Sequence, residues 1–433
     1  MTHWTRRRFL ITAGSSALVT AAGRSLAQTR SPEILISQAL RVETKMARLG
    51  FIALTDASPL IIAKEKGFFD KYGMTDVQVL KQASWPVTRD NLELGSQGGG
   101  IDGAHILTPM PYLMTLGTIT KGRKPVPMYI LARLNTNGQG ISIANEYRSL
   151  KVGLNSALMK SILDKARASG KELKVAMTFP GGTHDLWIRY WLAAGGIDPN
   201  RDVSVIPIPP PQMVANMKVG NMEAFCVGEP WNAQLVNQKQ GYTALVTGEL
   251  WRDHPEKALG LRKDWVDKNP QAAQALLMAV MEAQQWCEKP ANRQEMCQIV
   301  SRDRWFRVPV NDILGRAQGT IDYGDGRVVK NFPYAMKFWA NFASYPFKSH
   351  DLWFLTENKR WGYVPTSVNS VQVVNQVNRE DLWRKAATAL KVPAAQMPKG
   401  SSRGVEAFFN GVKFDPSQPD AYLKSLKIKK LAT

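Results

Sequence analysis

Trp85, Gln139, His184 and Lys257 each lie just beyond a stretch that reads as a β-strand, and each carries a side-chain hydrogen-bond donor. Thr183, next to His184, and the backbone around Val227 and Gly228 stand at equivalent strand ends. No carboxylate belongs to this set, and its one fixed charge is the Lys257 ammonium. Donors plus one cation suit a small anion that can only accept hydrogen bonds, because a buried charge without a partner is costly. In open α/β sheets ligands sit beyond the carboxyl ends of strands, where these residues fall.

The joint at 179–187, Phe-Pro-Gly-Gly-Thr-His-Asp-Leu-Trp, is the most informative of these positions. Residues 174–178 read as a short strand, the Pro-Gly-Gly as a tight turn, and 184–194 as an apolar helix. Thr183 is expected to cap that helix, leaving first-turn amides and the positive end of the helix dipole toward an anion. His184 there should stay neutral and donate one N–H. Pro86 biases Trp85 toward an extended backbone and so toward the cleft. Lys257 reads as a first-turn helix lysine, the unfavourable end for a cation, which a bound anion would offset. Plainer readings compete: a structural helix-start histidine for His184, a core position for Trp85 (one of 13 tryptophans), a solvated hinge for Gln139 between two glycines, and a solvated lysine for Lys257.

Strands at 47–54, 77–81, 103–107 and 128–134 alternate with helices at 58–72, 85–95 and 109–118, a pattern that predicts a parallel α/β sheet. Residues 135–140, rich in Asn, Thr and Gly, break the series. A second series has strands near 140–144, 174–178, 203–208, 224–227 and 243–247, after which the chain turns mainly helical, including 264–289. The fold expected is a two-lobed α/β clamp, with 47–136 and 258–433 forming lobe 1, 137–257 forming lobe 2, and a ligand cleft between them. The tract after about Val364 is basic and polar and carries no functional signal.

The N-terminus reads as an address. Thr5-Arg6-Arg7-Arg8-Phe9-Leu10 is a twin-arginine pattern, followed by a mildly apolar run and a small-residue site before Gln28. Residues 1–27 are therefore expected to be a signal peptide cleaved after Ala27, with 28–46 as a linker and the periplasm as destination. Most of the formal charge of +20 lies beyond that segment, which favours anionic partners. No basic block with interleaved aromatics supports nucleic-acid binding. Cys226, Cys287 and Cys297 have no metal-ligand spacing and read as buried free thiols, so neither metal nor cofactor is expected. Gly98-Gly99-Gly100 lacks the Lys-Ser/Thr of a phosphate loop, and Asp322 with Asp325 lacks calcium-loop spacing.

The segments GFIALTD (50–56), IAKEKGFF (62–69), ASW (83–85), PGGTHDLW (180–187), PPPQM (209–213), VGEPW (227–231) and HPEK (254–257) resemble the periplasmic nitrate- and bicarbonate-binding proteins of ABC importers. The similarity runs from about Arg48 to Trp361. It implies the type II-like clamp of periplasmic solute-binding proteins, no catalysis, and nitrate held by Trp85, Gln139, His184, the backbone at Val227 and Gly228, and Lys257. Thr183, Gly182 and Pro210 would stand behind them. Nitrite would use the same donors, and the partners implied are an ABC permease and its ATPase at the inner membrane. The bicarbonate branch carries Glu, with calcium assisting, where the nitrate branch carries Lys; Lys257 points to nitrate, although Glu256 is adjacent. The alternatives are a bicarbonate or cyanate binder of the same family and a nitrate-sensing regulator.

Overall fold

The computed structural model describes residues 41–430. The signal peptide and most of the expected linker lie outside the described residues. Two five-stranded sheets organise the chain. The first contains β1 (Met46–Phe51), β2 (Asp76–Lys81), β3 (Gly103–Leu107), β4 (Met128–Arg133) and, from much later, β10 (Lys257–Arg262), in the order β2-β1-β3-β10-β4. The second contains β5 (Gln139–Ala144), β6 (Lys174–Met177), β7 (Ser204–Pro207), β8 (Ala224–Gly228) and β9 (Gly241–Val246), in the order β7-β6-β8-β5-β9.

Both sheets are mixed, which corrects the expectation of purely parallel pairing. β1 runs parallel to β2 and β3, but β10 is antiparallel to β3 and β4. Likewise β6 is parallel to β7 and β8, whereas β5 is antiparallel to β8 and β9. The reversed strand in each sheet is the one at which the chain enters from the other sheet, so it arrives with the opposite direction.

Those two crossings lie side by side. The Leu134 N–H donates to Lys257 O, the Lys257 N–H to Asn135 Oδ1, and the Asn137 N–H to His254 O, at 2.8, 3.1 and 3.0 Å. Asn137 and Gly138 both have positive φ, 58° and 87°, and a Cβ on Gly138 would come within 2.2 Å of the Met336 side chain. This tight corner is what turns the chain between the sheets and sets Gln139 at the head of β5.

Five helices matter for the site: α1 (Ser58–Glu65), α2 (Trp85–Leu94), α3 (Thr183–Ala194), α4 (Pro270–Glu288) and α5 (Lys348–Arg360). Ten consecutive residues of α3, Thr183 to Leu192, are buried, as expected of a helix apolar on most faces. Trp187 on α3 stacks on Trp353 of α5 at 5.0 Å between ring centroids and meets Trp251 edge-on at 6.2 Å. The tract after Val364 closes over this cluster: Phe408 stacks on Trp353, and Glu406 accepts from the Trp251 indole N–H at 2.8 Å. Arg379 donates its backbone N–H to Ile130 of β4, so the same tract also reaches the first sheet. Its role is that of a strap, which its polar composition did not announce. The three cysteines are buried and free.

Candidate anion-binding site

The site is assembled at the junction of the two sheets, where the end of β1, the starts of α2, α3 and β5, the end of β8 and the start of β10 converge. Trp85, Gln139, His184, Val227 and Lys257 are all fully buried there. Trp85 is the first residue of α2, preceded by Ser84, whose hydroxyl caps the helix by accepting from the Val87 N–H at 3.3 Å. Its ring lies 5.6 Å from that of His105, and the Lys257 ammonium is 6.0 Å from its centroid. Its indole N–H has no partner among the described residues.

A chain of hydrogen bonds links the remaining groups. Asp56 can only accept, so Gln139 turns its amide nitrogen to Asp56 Oδ2 at 3.0 Å and its oxygen to His184. His184 therefore donates from Nε2 to Gln139 Oε1 at 2.7 Å, and its Nδ1 accepts from the Thr178 hydroxyl at 2.6 Å. Burial, reinforced by the nearby Lys257 charge, pushes His184 well below its ordinary pKa, so the ring is neutral. Gly228 pairs with Gln139 in the register of β5 and β8, and a Cβ there would stand 2.6 Å from Gln139 Oε1. Only glycine lets that amide oxygen reach His184. The Val227 carbonyl accepts from Asn232 Nδ2 at 2.9 Å.

Lys257 is not a helix residue, as its sequence context suggested, but the first residue of β10. Pairing across two strands outweighs the Pro-Glu-Lys pattern that resembles a helix start. Its ammonium donates to Asp56 Oδ2 at 2.9 Å and Glu256 Oε1 at 3.0 Å. Burial alone would lower its pKa, but attraction to Asp56 and Glu256 outweighs this and raises it. Burial would likewise raise Asp56, yet Lys257 and His105 hold its carboxyl well below the usual range. Glu256 goes the other way: burial raises it despite Lys257, Thr183 and Trp187.

The expectation that no carboxylate belongs to the set is thus corrected by Asp56 and Glu256, and His105, His254 and Trp187 are further members not foreseen. His105 Nε2 lies 2.6 Å from Asp56 Oδ1, and the Trp187 indole N–H donates to Glu256 Oε2 at 2.8 Å. Asp56 and Trp187 sit inside segments that carry the family resemblance, a signal that would have found them. Thr183 does not cap α3 with its side chain; Gly182 is at that position, and the Thr183 hydroxyl donates to Glu256 instead. Gly182 packs against Leu107, which a Cβ would approach to 2.6 Å. Pro210 opens a short turn, Pro210–Gln212, and no described polar contact joins it to the others. Among the described residues, no group of three or more His, Cys, Asp or Glu side chains could hold a metal ion.

His254 carries a measurable consequence. Its Nδ1 donates to the Pro255 carbonyl and its Nε2 accepts from Thr247, and burial lowers its pKa from 6.5 to about 3. Between those values the unfolded chain binds a proton that the folded chain refuses, so stability is lost as pH falls through the window, by up to about 1.4 kcal/mol per pH unit. Urea unfolding of His254→Gln should show a slope smaller by up to one proton than the parent's over that range. Equal slopes would mean that the ring is not held neutral.

Two α/β sheets joined by a pair of crossing strands, with buried donors and charges at the seam, define the two-lobed solute-binding architecture. The NMT1-like family model matches residues 41–301. The nitrate/nitrite binding protein NrtA of Nostoc sp. is 61% identical over 446 residues, covering 100% of both chains. The bicarbonate-binding protein CmpA of Synechococcus elongatus is 45% identical, covering 98% of each. The crystal structure of the periplasmic nitrate-binding protein NrtA from Synechocystis superposes with a TM-score of 0.87 at 63% identity, over 89% of this chain and 100% of that one. The chain belongs to the NMT1-like family and, within it, to the family that includes NrtA and CmpA.

Proposed function

We propose that this protein binds nitrate, and nitrite by the same donors, between its two lobes and delivers it to an ABC permease and its ATPase at the inner membrane. The observation that carries this reading is the pair of uncommitted donors at the seam. Among the described residues, the Trp85 indole N–H is buried without a partner, and Lys257 spends two of its three N–H groups on Asp56 and Glu256, leaving one. Nitrate has three oxygens that only accept and no proton to give. Trp85, Gln139, His184, the backbone at Val227 and Gly228, and Lys257 are the residues we assign to it, with Thr183 and Gly182 behind them. The identity to NrtA, higher than that to CmpA, supports the same choice of anion.

The lobes are taken as 47–136 with 258–433, and 137–257, with Lys257 at the boundary. Nitrate bridging them would shift the population toward a closed form that the permease recognises. Export by the twin-arginine pattern with cleavage after Ala27 would bring the chain to the periplasm. Binding without turnover is the expected activity, as in the nitrate/nitrite binding proteins this chain is similar to.

Titration calorimetry of nitrate against the parent tests the reading: His184 would turn its Nε2–H from Gln139 Oε1 to the anion, and His184→Ala should weaken binding by about 1.5–3 kcal/mol, the range for a hydrogen bond to a charged group. Unaltered affinity in that variant would remove His184 from the site. A second reading, bicarbonate, is favoured by one observation: Glu256 and Asp56 offer buried acceptors for its proton. Preference for bicarbonate over nitrate in parallel titrations, with and without calcium, would replace the first reading by the second.

A further inference from the structure

The charges at the seam do not balance for an incoming anion. Asp56 and Glu256 flank a single ammonium, Lys257, and all three side chains are fully buried. Among the described residues, the other groups facing them add no positive charge. His184, 3.7 Å from Glu256 on the α3 side, is neutral, as is His254 at 3.6 Å from the preceding loop. From β3, burial lowers His105 against the pull of Asp56. From β8, Cys226 stays a thiol. Asp185 of α3 is paired with Arg189 at 2.6 Å. The cluster therefore carries one net negative charge, and nitrate would add a second with no cation to meet it.

We propose that the anion is taken up together with one proton, which comes to rest on the Glu256 carboxyl. This rests on the reading that the site binds nitrate. Of the two carboxylates, Glu256 is the one with a partner that can reverse its role by a hydroxyl rotation alone. Asp56 is held by Lys257 and Gln139, which present N–H groups to it, and by His105 Nε2, which could accept only if the ring moved its own proton to Nδ1. Glu256 is held by Lys257, by Trp187 and by the Thr183 hydroxyl, and a hydroxyl can turn from donating to accepting. A proton on Glu256 can thus be given to Thr183, with no side chain displaced. Burial already drives this carboxyl upward while Asp56 is driven down, which agrees with the choice. Neutral Glu256 leaves Asp56 to balance Lys257, so the nitrate charge enters an electrically neutral cluster.

Calorimetric titration of nitrate into the full chain, in two buffers of different ionisation enthalpy at several values between about pH 6 and about pH 9, reads the proton count directly. The expected result is uptake rising toward one proton per nitrate, with Kd rising up to about tenfold per pH unit at the alkaline end. Difference infrared spectroscopy on the unaltered protein should show a protonated carboxyl C=O band appearing as nitrate binds. In Glu256→Gln, whose amide stands in for the neutral acid, the uptake should vanish and Kd should cease to vary with pH. Nitrate heats that are the same in both buffers at every pH would overturn the inference, as would a full proton still taken up by Glu256→Gln. A parent that binds no nitrate at all would overturn the underlying reading instead.

Discussion

Lys257→Met is expected to destabilise the protein by about 3–5 kcal/mol, the usual cost of removing one member of a buried ionic group, and to abolish nitrate binding. The reason is not the loss of a contact but what remains. Asp56 and Glu256 would stand fully buried with no cation between them. Their pKa values in the folded variant would rise above those in the unfolded chain. Stability would then be present in acid and lost as pH rises through those values, a dependence of the opposite sign to that of His254. Urea unfolding at about pH 5 and about pH 7.5 should show the penalty growing with pH. Adding Glu256→Gln should recover part of it, because one of the stranded charges is gone. If Lys257→Met unfolds at the parent's urea midpoint at both pH values, the ammonium is not paired as described.

Trp187→Ala has the second large effect, about 3–5 kcal/mol, from a cavity among Trp251, Trp353 and Phe354 that these rings cannot collapse to fill. Part of that loss is polar, since Glu256 Oε2 would lose its indole donor. Trp187→Phe separates the two, keeping an aromatic body while removing the N–H, and should cost nearer to about 1–3 kcal/mol. Urea unfolding followed by circular dichroism measures both. Should the two variants prove equally destabilised, the indole N–H rather than the stacking holds α3 against α5.

The strap formed after Val364 is the part least readable from composition. Its anchors, Phe408, Glu406 and Arg379, are scattered residues that follow no sustained helical or strand periodicity. Their value comes from Trp353, Trp251 and Ile130, each distant in the chain. Nine of the ten strands of the two sheets and their two-series order were legible, since apolar runs and turn residues act over a few neighbours; β10, where a helical stretch was expected, was not. Trp85, Gln139, His184 and Lys257 could be singled out because each lies at a strand end or element boundary that local signals mark, and the fold buries them at one seam.

What the sequence determined alone is therefore the supply: which donors exist, where the strands stop and the helices start, and a family pattern pointing to a small anion. Tertiary structure decided the rest. It set the direction of β5 and β10, made Lys257 a strand residue, turned Thr183 from a cap into a partner of Glu256, and brought Asp56 to Lys257 from 201 positions away. Hydrophobic periodicity is short-ranged, whereas the ionisation of a buried group depends on every charge within a few ångströms, whatever its place in the chain.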